Sequence, residues 1–219
     1  MARIGVLLSG CGVYDGSEIH EAVLTLLALD RTGVEIVCMA PDIEQRDVIN
    51  HLTGEPMQEK RNVLIESARI ARGNIKDVRD VQVDHIDGLI LPGGYGAAKN
   101  LSDFAVKGNN AEVHPDVKRL LIEMVQAGKP IGAICIAPAT LTQALSGYSP
   151  EVTIGNDPTT ANAIEAMGGK HHIASVEDIH VDSRNKLVTT PAYMLGPGIR
   201  EVSVGIEKLV TKVLELAVS

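Results

Sequence analysis

Aromatic side chains are nearly missing from this 219-residue chain: there is no Trp, a single Phe, and an aromatic fraction of 2%. Single-strand nucleic-acid binders lean on aromatic platforms for base stacking, so that class is excluded. A cationic excess is missing too. Twenty Lys and Arg stand against 28 Asp and Glu, and the net charge of −8 opposes binding to a phosphate backbone. No apolar run approaches the ~18 residues of a membrane span, so no membrane partner is expected. After Met1-Ala2-Arg3, the apolar stretch Ile4 to Leu8 is shorter than the about 7–15 residues of a secretory h-region. The start is also not rich in the Arg and Ser of a transit peptide. Cysteine is scarce, with three residues at irregular spacing, which matches neither a disulfide framework nor a zinc site. Free thiols in a reducing cytoplasm are the expectation.

What is present is alternation. "RIGVLLSGCG" reads as a short strand ending in small residues. "DGSEIHEAVLTLLALDRTG" reads as a helix with Asp15 or Ser17 as N-cap, an apolar stripe of Ile19, Val23, Leu26 and Leu27, and Gly33 as its stop. "VEIVCMAP" is the next strand, and this βαβ opening implies a parallel sheet. Further on, "RNVLIESARIARG" and "DVKRLLIEMVQAG" have helical spacing, and "HIDGLILPGGYGAAKN" is a strand running into a glycine-rich turn. "KPIGAIC" and "EVTIG" read as strands, "APATLTQAL" and "TTANAIEAMGG" as helices. "HHIASVEDIHVDSRNKLVTTPAY" holds two or three short strands, and "GIREVSVGIEKLVTKVLELAV" is a closing helix. The length suits one domain, residues 1–219, of doubly wound α/β type.

Open parallel sheets place ligands at the carboxyl ends of their strands. Three turns fall there: Ser9-Gly10-Cys11-Gly12, Gly93-Gly94-Tyr95-Gly96 and Cys135-Ile136-Ala137. Small neighbours around Cys135 permit a sharp strand-to-helix elbow that displays a nucleophile, and a helix N-terminus favours thiolate. Read on its own, the same stretch also suits an inert apolar thiol. The Gly93-Gly94 turn lacks the full G-x-G-x-x-G spacing of a dinucleotide site, yet its amides can face an oxyanion. Glu18 and Glu21 share a helix face, which by itself describes ordinary solvated carboxylates. His20 points elsewhere and reads as structural. Cys11 and Cys38 read as small apolar residues, with Cys11 close enough to a strand end to line a cavity. His171 and His172 diverge if they lie in a strand, and no third ligand has suitable spacing, so no metal is expected.

Long strings, including "GVLLSGCGVYDGSEIHEAV", "VINHLTGE", "LPGGYGAAKNLSDFA", "AGKPIGAICIAPA" and "VTTPAYM", resemble the PfpI/ThiJ superfamily, relatives of the class I amidotransferase glutaminase domain. More closely, the chain resembles ElbB-type isoprenoid-biosynthesis glyoxalases. The resemblance implies a flavodoxin-like three-layer α/β sandwich, a homodimer, and Cys135 as nucleophile. It puts the partner carboxylate at Glu21, with Glu18 one turn earlier, and the oxyanion amides at Gly94 and Ile136 beside Gly93. Many superfamily members carry a His after the strand that follows the elbow helix. Here Gly155, Asn156 and Asp157 occupy that stretch, so Asn156 is a pocket candidate, and a His from elsewhere, His51 or His180, is a possible replacement. The implied activity is a cofactor-independent glyoxalase acting on a small dicarbonyl, with glyoxal giving glycolate. A redox-regulatory protein built on an oxidisable Cys135 is the rival of another class, and a glutaminase-like amidotransferase subunit is a third reading.

Overall fold

The computed structural model describes residues 1–218. Its main sheet has seven strands: β1 (Arg3–Leu7), β2 (Glu35–Ala40), β3 (Lys76–Asp77), β4 (Gly88–Leu91), β5 (Ile131–Ile134), β8 (His180–Asp182) and β9 (Leu187–Thr190). They lie in the order β3-β2-β1-β4-β5-β9-β8. Every pairing is parallel except β8 with β9. Alternate residues of each central strand feed opposite faces. Leu7, Met39, Leu89, Leu91, Ile131 and Ala133 pack against α5 (Pro115–Gln126) and α6 (Ala137–Ala144). Ile4, Val6, Leu8, Ile90, Ile134 and Val188 pack against α1 (Ile19–Asp30), α2 (Val63–Ile70) and α8 (Ile199–Ala217). Both faces are covered, which is why these strands read as unbroken apolar runs. The architecture is a flavodoxin-like α/β sandwich.

β6 (Glu151–Gly155) does not join this sheet. It pairs in parallel with β7 (Lys170–Ile173) in a separate two-stranded ribbon, with α7 (Pro158–Ala166) between them. α3 (Tyr95–Lys99) and α4 (Phe104–Lys107) follow β4 and complete one wall of the crevice described below.

The first helix departs from the pattern read in the sequence. Its N-cap is Glu18, whose side chain accepts a hydrogen bond from the Glu21 amide at 2.7 Å. Asp15 and Ser17 are committed elsewhere: Asp15 Oδ2 accepts from the Ile49 amide at 2.7 Å, and Ser17 Oγ accepts from the Ser9 amide at 2.9 Å. Most of the expected apolar stripe also faces the other way, with Leu26 alone packed partly against the core. Ile19, Val23 and Leu27 are 43%, 49% and 41% exposed, whereas Glu21, Ala22, Thr25 and Leu29 are buried. A helix that turns a carboxylate inward and leucine and isoleucine outward is not laid down by core packing alone.

Candidate active site

The strand order reverses at β1, with β2 and β3 on one side and β4, β5 and β9 on the other. Such a switch point opens a crevice at the carboxyl ends of the strands. Three side chains or turns from three such ends converge there. Cys135 directly follows β5, Gly93-Gly94 follow β4, and Glu21 stands on the helix that follows β1.

Cys135 has φ 62°, a left-handed conformation that a residue with a Cβ adopts only under constraint. Its amide still donates to Thr190 O at 3.0 Å, extending the β5–β9 ladder to the elbow itself. The next residue, Ile136, is already the N-cap of α6. The strand therefore pins the backbone on one side and the helix on the other, and the side chain is thrust into the crevice. Gly93 is required by close approach: a Cβ there would lie 2.5 Å from Cys135 Cβ and 2.7 Å from Glu21 Oε2. Gly94, at φ 91°, is required by conformation.

Glu21 is fully buried, and both of its oxygens are held. The Gly93 amide donates to Oε2 at 2.9 Å, and the Tyr193 amide donates to Oε1 at 3.2 Å. The carboxyl also shares a hydrogen bond with Cys135. Burial, and then the nearby charge of Glu18, push its pKa from 4.5 up to about 8, so at neutral pH it carries a proton. Burial likewise drives the Cys135 thiol upward, and a charged Glu21 adds to that rise. The Gly94 and Ile136 amides act in the opposite direction, because both donate to the sulfur. The hydrogen bond between them lowers the Glu21 pKa and raises that of Cys135, so the thiol donates to the carboxylate once Glu21 ionises, and the two groups behave as one proton-sharing pair.

Around this pair lies a cavity of ≈ 360 Å³ walled mainly by apolar groups, among them Val13, Ala98, Phe104 and Met194. Glu18, Gly94, Cys135 and Ile136 line it as well, so the two glutamates divide their roles: Glu21 holds the thiol, while Glu18 caps the helix and faces the cavity. Tyr193 lines it from the turn after β9, and its hydroxyl meets His20 Nδ1 at 2.8 Å. Sequence reasoning missed Tyr193, Phe104 and Thr160. The string "VTTPAYM" carried the first of them, but nothing local says that its amide would clamp a glutamate 172 residues away.

The remaining candidates lie elsewhere. Asn156 is exposed and does not line the cavity, because Gly155, at φ 101°, turns the chain away and Leu195 packs against that glycine. Cys11 is half-buried near Glu66, Arg69 and Asp15, also outside the cavity. The His51 ring lies tilted against Tyr14, with centroids 4.9 Å apart, and faces Asp15 at 3.9 Å. His180 packs on His172 far along the sheet edge. Among the described residues no His lines the cavity, so neither candidate stands in for the one missing from the usual position. His20 reaches the cavity wall one hydrogen bond removed, through the Tyr193 hydroxyl. His172, for which the sequence offers no third ligand at suitable spacing, has Glu151 and His180 beside it from neighbouring strands.

A thiol on a strained strand-to-helix elbow, facing a buried carboxyl and two amides at a sheet switch point, defines a class of cysteine-centred α/β proteins. The chain belongs to the DJ-1/PfpI family, whose model matches residues 11–193. It is 49% identical over 225 residues, covering 98% of this chain and 83% of the relative, to the human "Glutamine amidotransferase-like class 1 domain-containing protein 3, mitochondrial". It is 48% identical to the Rattus norvegicus "ES1 protein homolog, mitochondrial", over 98% of this chain and 84% of the relative. Among solved structures it is similar to an isoprenoid biosynthesis protein with an amidotransferase-like domain from Ehrlichia chaffeensis, at TM-score 0.93, 38% identity and 99% coverage of both chains. The mitochondrial names overturn the cytoplasmic expectation. Free thiols report a reducing environment, and that property does not single out the cytosol.

Proposed function

We propose that the protein is a cofactor-independent glyoxalase of ElbB type, converting a small dicarbonyl such as glyoxal to a hydroxy acid through a covalent adduct on Cys135. The observation that carries the reading is the Cys135–Glu21 pair, one nucleophile and one near-neutral acid sharing a hydrogen bond at the end of an apolar cavity. The likeness to the Ehrlichia chaffeensis protein supports the ElbB-type assignment. In the active form the pair holds one proton. The Cys135 thiol passes its proton to the Glu21 carboxylate as the sulfur adds to one aldehyde carbon, and the Glu21 acid then gives that proton to the oxygen, completing a neutral hemithioacetal. Gly94 and Ile136 amides are the donors nearest the developing oxyanion. The Glu21 carboxylate then takes the hydrogen from that carbon, forming an enediolate. It returns the proton to the neighbouring carbon while the oxygen proton moves across, which gives a hydroxyacyl thioester. Water, deprotonated by Glu21, attacks the acyl carbon and expels the thiolate. The hydroxy acid leaves and the one-proton pair is restored.

The cavity's chemistry favours this substrate class over glutamine. No Lys, Arg or His lines it among the described residues, and Glu18 adds a negative rim, so nothing there would pair with an α-carboxylate. A neutral carbonyl compound meets no such demand. The test is glycolate formation from glyoxal, followed by NMR, for wild type and Cys135→Ala. Wild-type turnover with loss of product in the variant is the expected result; variant activity within a few-fold of wild type would sink the proposal. Stoichiometric oxidation of Cys135 by mild peroxide, with negligible dicarbonyl turnover, would instead favour a redox sensor.

A further inference from the structure

We infer that Glu151, His172 and His180 form a binding site for a divalent late first-row transition ion, with Zn²⁺ the best fit. The three ligands come from three neighbouring strands: the first residue of β6, the third of β7 and the first of β8. Their ligand atoms all lie within 4.8 Å of one another. His172 Nε2 stands 2.7 Å from Glu151 Oε2, and His180 Nε2 stands 3.9 Å from the same oxygen. The two imidazoles are stacked, with ring centroids 3.9 Å apart and planes inclined by 12°, so both Nε2 atoms are presented to one carboxylate.

Two features separate this cluster from a chance surface ion pair. First, His180 Nε2 is shielded from solvent and has no hydrogen-bond partner. A buried imidazole nitrogen without a partner is a costly arrangement that a ligated ion would relieve. Second, the scaffold is rigid. Asp182, at the end of β8, accepts from the Glu151 amide at 3.1 Å and from Asn185 Nδ2 at 2.7 Å, which ties β6 to β8 across the cluster.

Two imidazoles and one carboxylate form an open three-ligand set with nitrogen and oxygen donors, which suits Zn²⁺ and its neighbours rather than Ca²⁺ or Mg²⁺. Bonds of roughly 2.0–2.2 Å in a tetrahedron put ligand atoms about 3.3 Å apart. Because each imidazole's lone pair lies in its ring plane, the two rings must rotate out of their near-parallel stack so that both Nε2 atoms converge on the ion. Lys170 Nζ, 3.5 Å from Glu151 Oε2, is the one competing cation at the cluster among the described residues, and it sits on a largely exposed side chain free to swing away. None of the three ligands lines the Cys135 cavity, so the ion would tie the β6–β7 ribbon to the β8 edge of the main sheet.

The test is calorimetric titration of chelator-treated full-length protein with Zn²⁺, alongside the visible spectrum of the Co²⁺ form. Wild type should bind one ion, and the Co²⁺ spectrum should show d–d bands without thiolate charge transfer. Glu151→Gln and His172→Gln should each weaken binding at least ~10-fold and abolish the Zn²⁺-dependent rise in melting temperature. Circular dichroism of these near-isosteric variants reports whether the fold is kept. His180→Ala gives the same readout where it folds. Absence of Zn²⁺ binding by wild type, wild-type affinity in the folded Gln variants, or a thiolate band in the Co²⁺ form would each overturn the inference.

Discussion

At the scale of single residues, the site turns on a glutamate that burial keeps protonated. Glu21 holds its proton to about pH 8 in the folded chain and loses it near 4.5 in the unfolded one. Between those values the folded state binds more protons, so stability falls as pH rises through that window and levels off above it, a change on the order of a few kcal/mol. Denaturant titrations of wild type and Glu21→Gln between pH 5 and 8 should show a clear slope in the first and a flatter line in the second. Activity runs the other way. The reactive form has lost one of the pair's two protons, so kcat/KM for glyoxal should climb as pH rises through about 8. A profile that is flat from pH 6 to 9 would contradict that assignment. Glu18 is a separate case. Its side chain caps α1, and Glu18→Ala should lower stability by about 1 kcal/mol while leaving the thiol–carboxyl contact in place.

At the scale of elements, the sequence makes the strands and most helices legible because their burial follows simple periods. β1, β4 and β5 are apolar runs that end in small residues, and α5 has its Pro115 at the first turn and Gly128 just beyond its end. The elbow is legible for the same reason, since small residues crowd around Cys135. The first helix was not. Its period is helical, but its buried face carries Glu21, and its cap is Glu18 because a folded loop claims Asp15 and Ser17. Those claims come from Ile49 and Ser9, and local spacing does not encode such contacts. β6 is legible in the sequence as a strand but not as one outside the main sheet, because that choice is made by pairing partners rather than propensity. Gly93→Ala tests the elbow's packing directly. The added methyl would strike Cys135, Glu21 and the Ile134 carbonyl, so that variant should lose dicarbonyl turnover and also melt at a lower temperature, as overpacking a buried elbow does.

At the scale of the whole molecule, the outward stripe of Ile19, Val23 and Leu27 sets nonpolar surface on the helix that also carries Glu21. We propose this stripe as the face through which two copies of the chain would pair, as the family resemblance implies. Light scattering should give wild type twice the chain mass and Val23→Glu the single-chain mass; a monomeric wild type removes the proposal. Such pairing would explain why a helix tolerates apolar residues on its exposed face.

Covalent chemistry at Cys135 is tested most directly by quenching the protein in acid during glyoxal turnover. Intact-mass analysis and peptide mapping should find a fraction of the wild-type chains heavier by one glyoxal unit, with the label on the 129–141 stretch at Cys135. Cys135→Ala should carry none and release no glycolate. Continued glycolate release by Cys135→Ala, or a label confined to Cys11 or Cys38 while turnover proceeds, would contradict it.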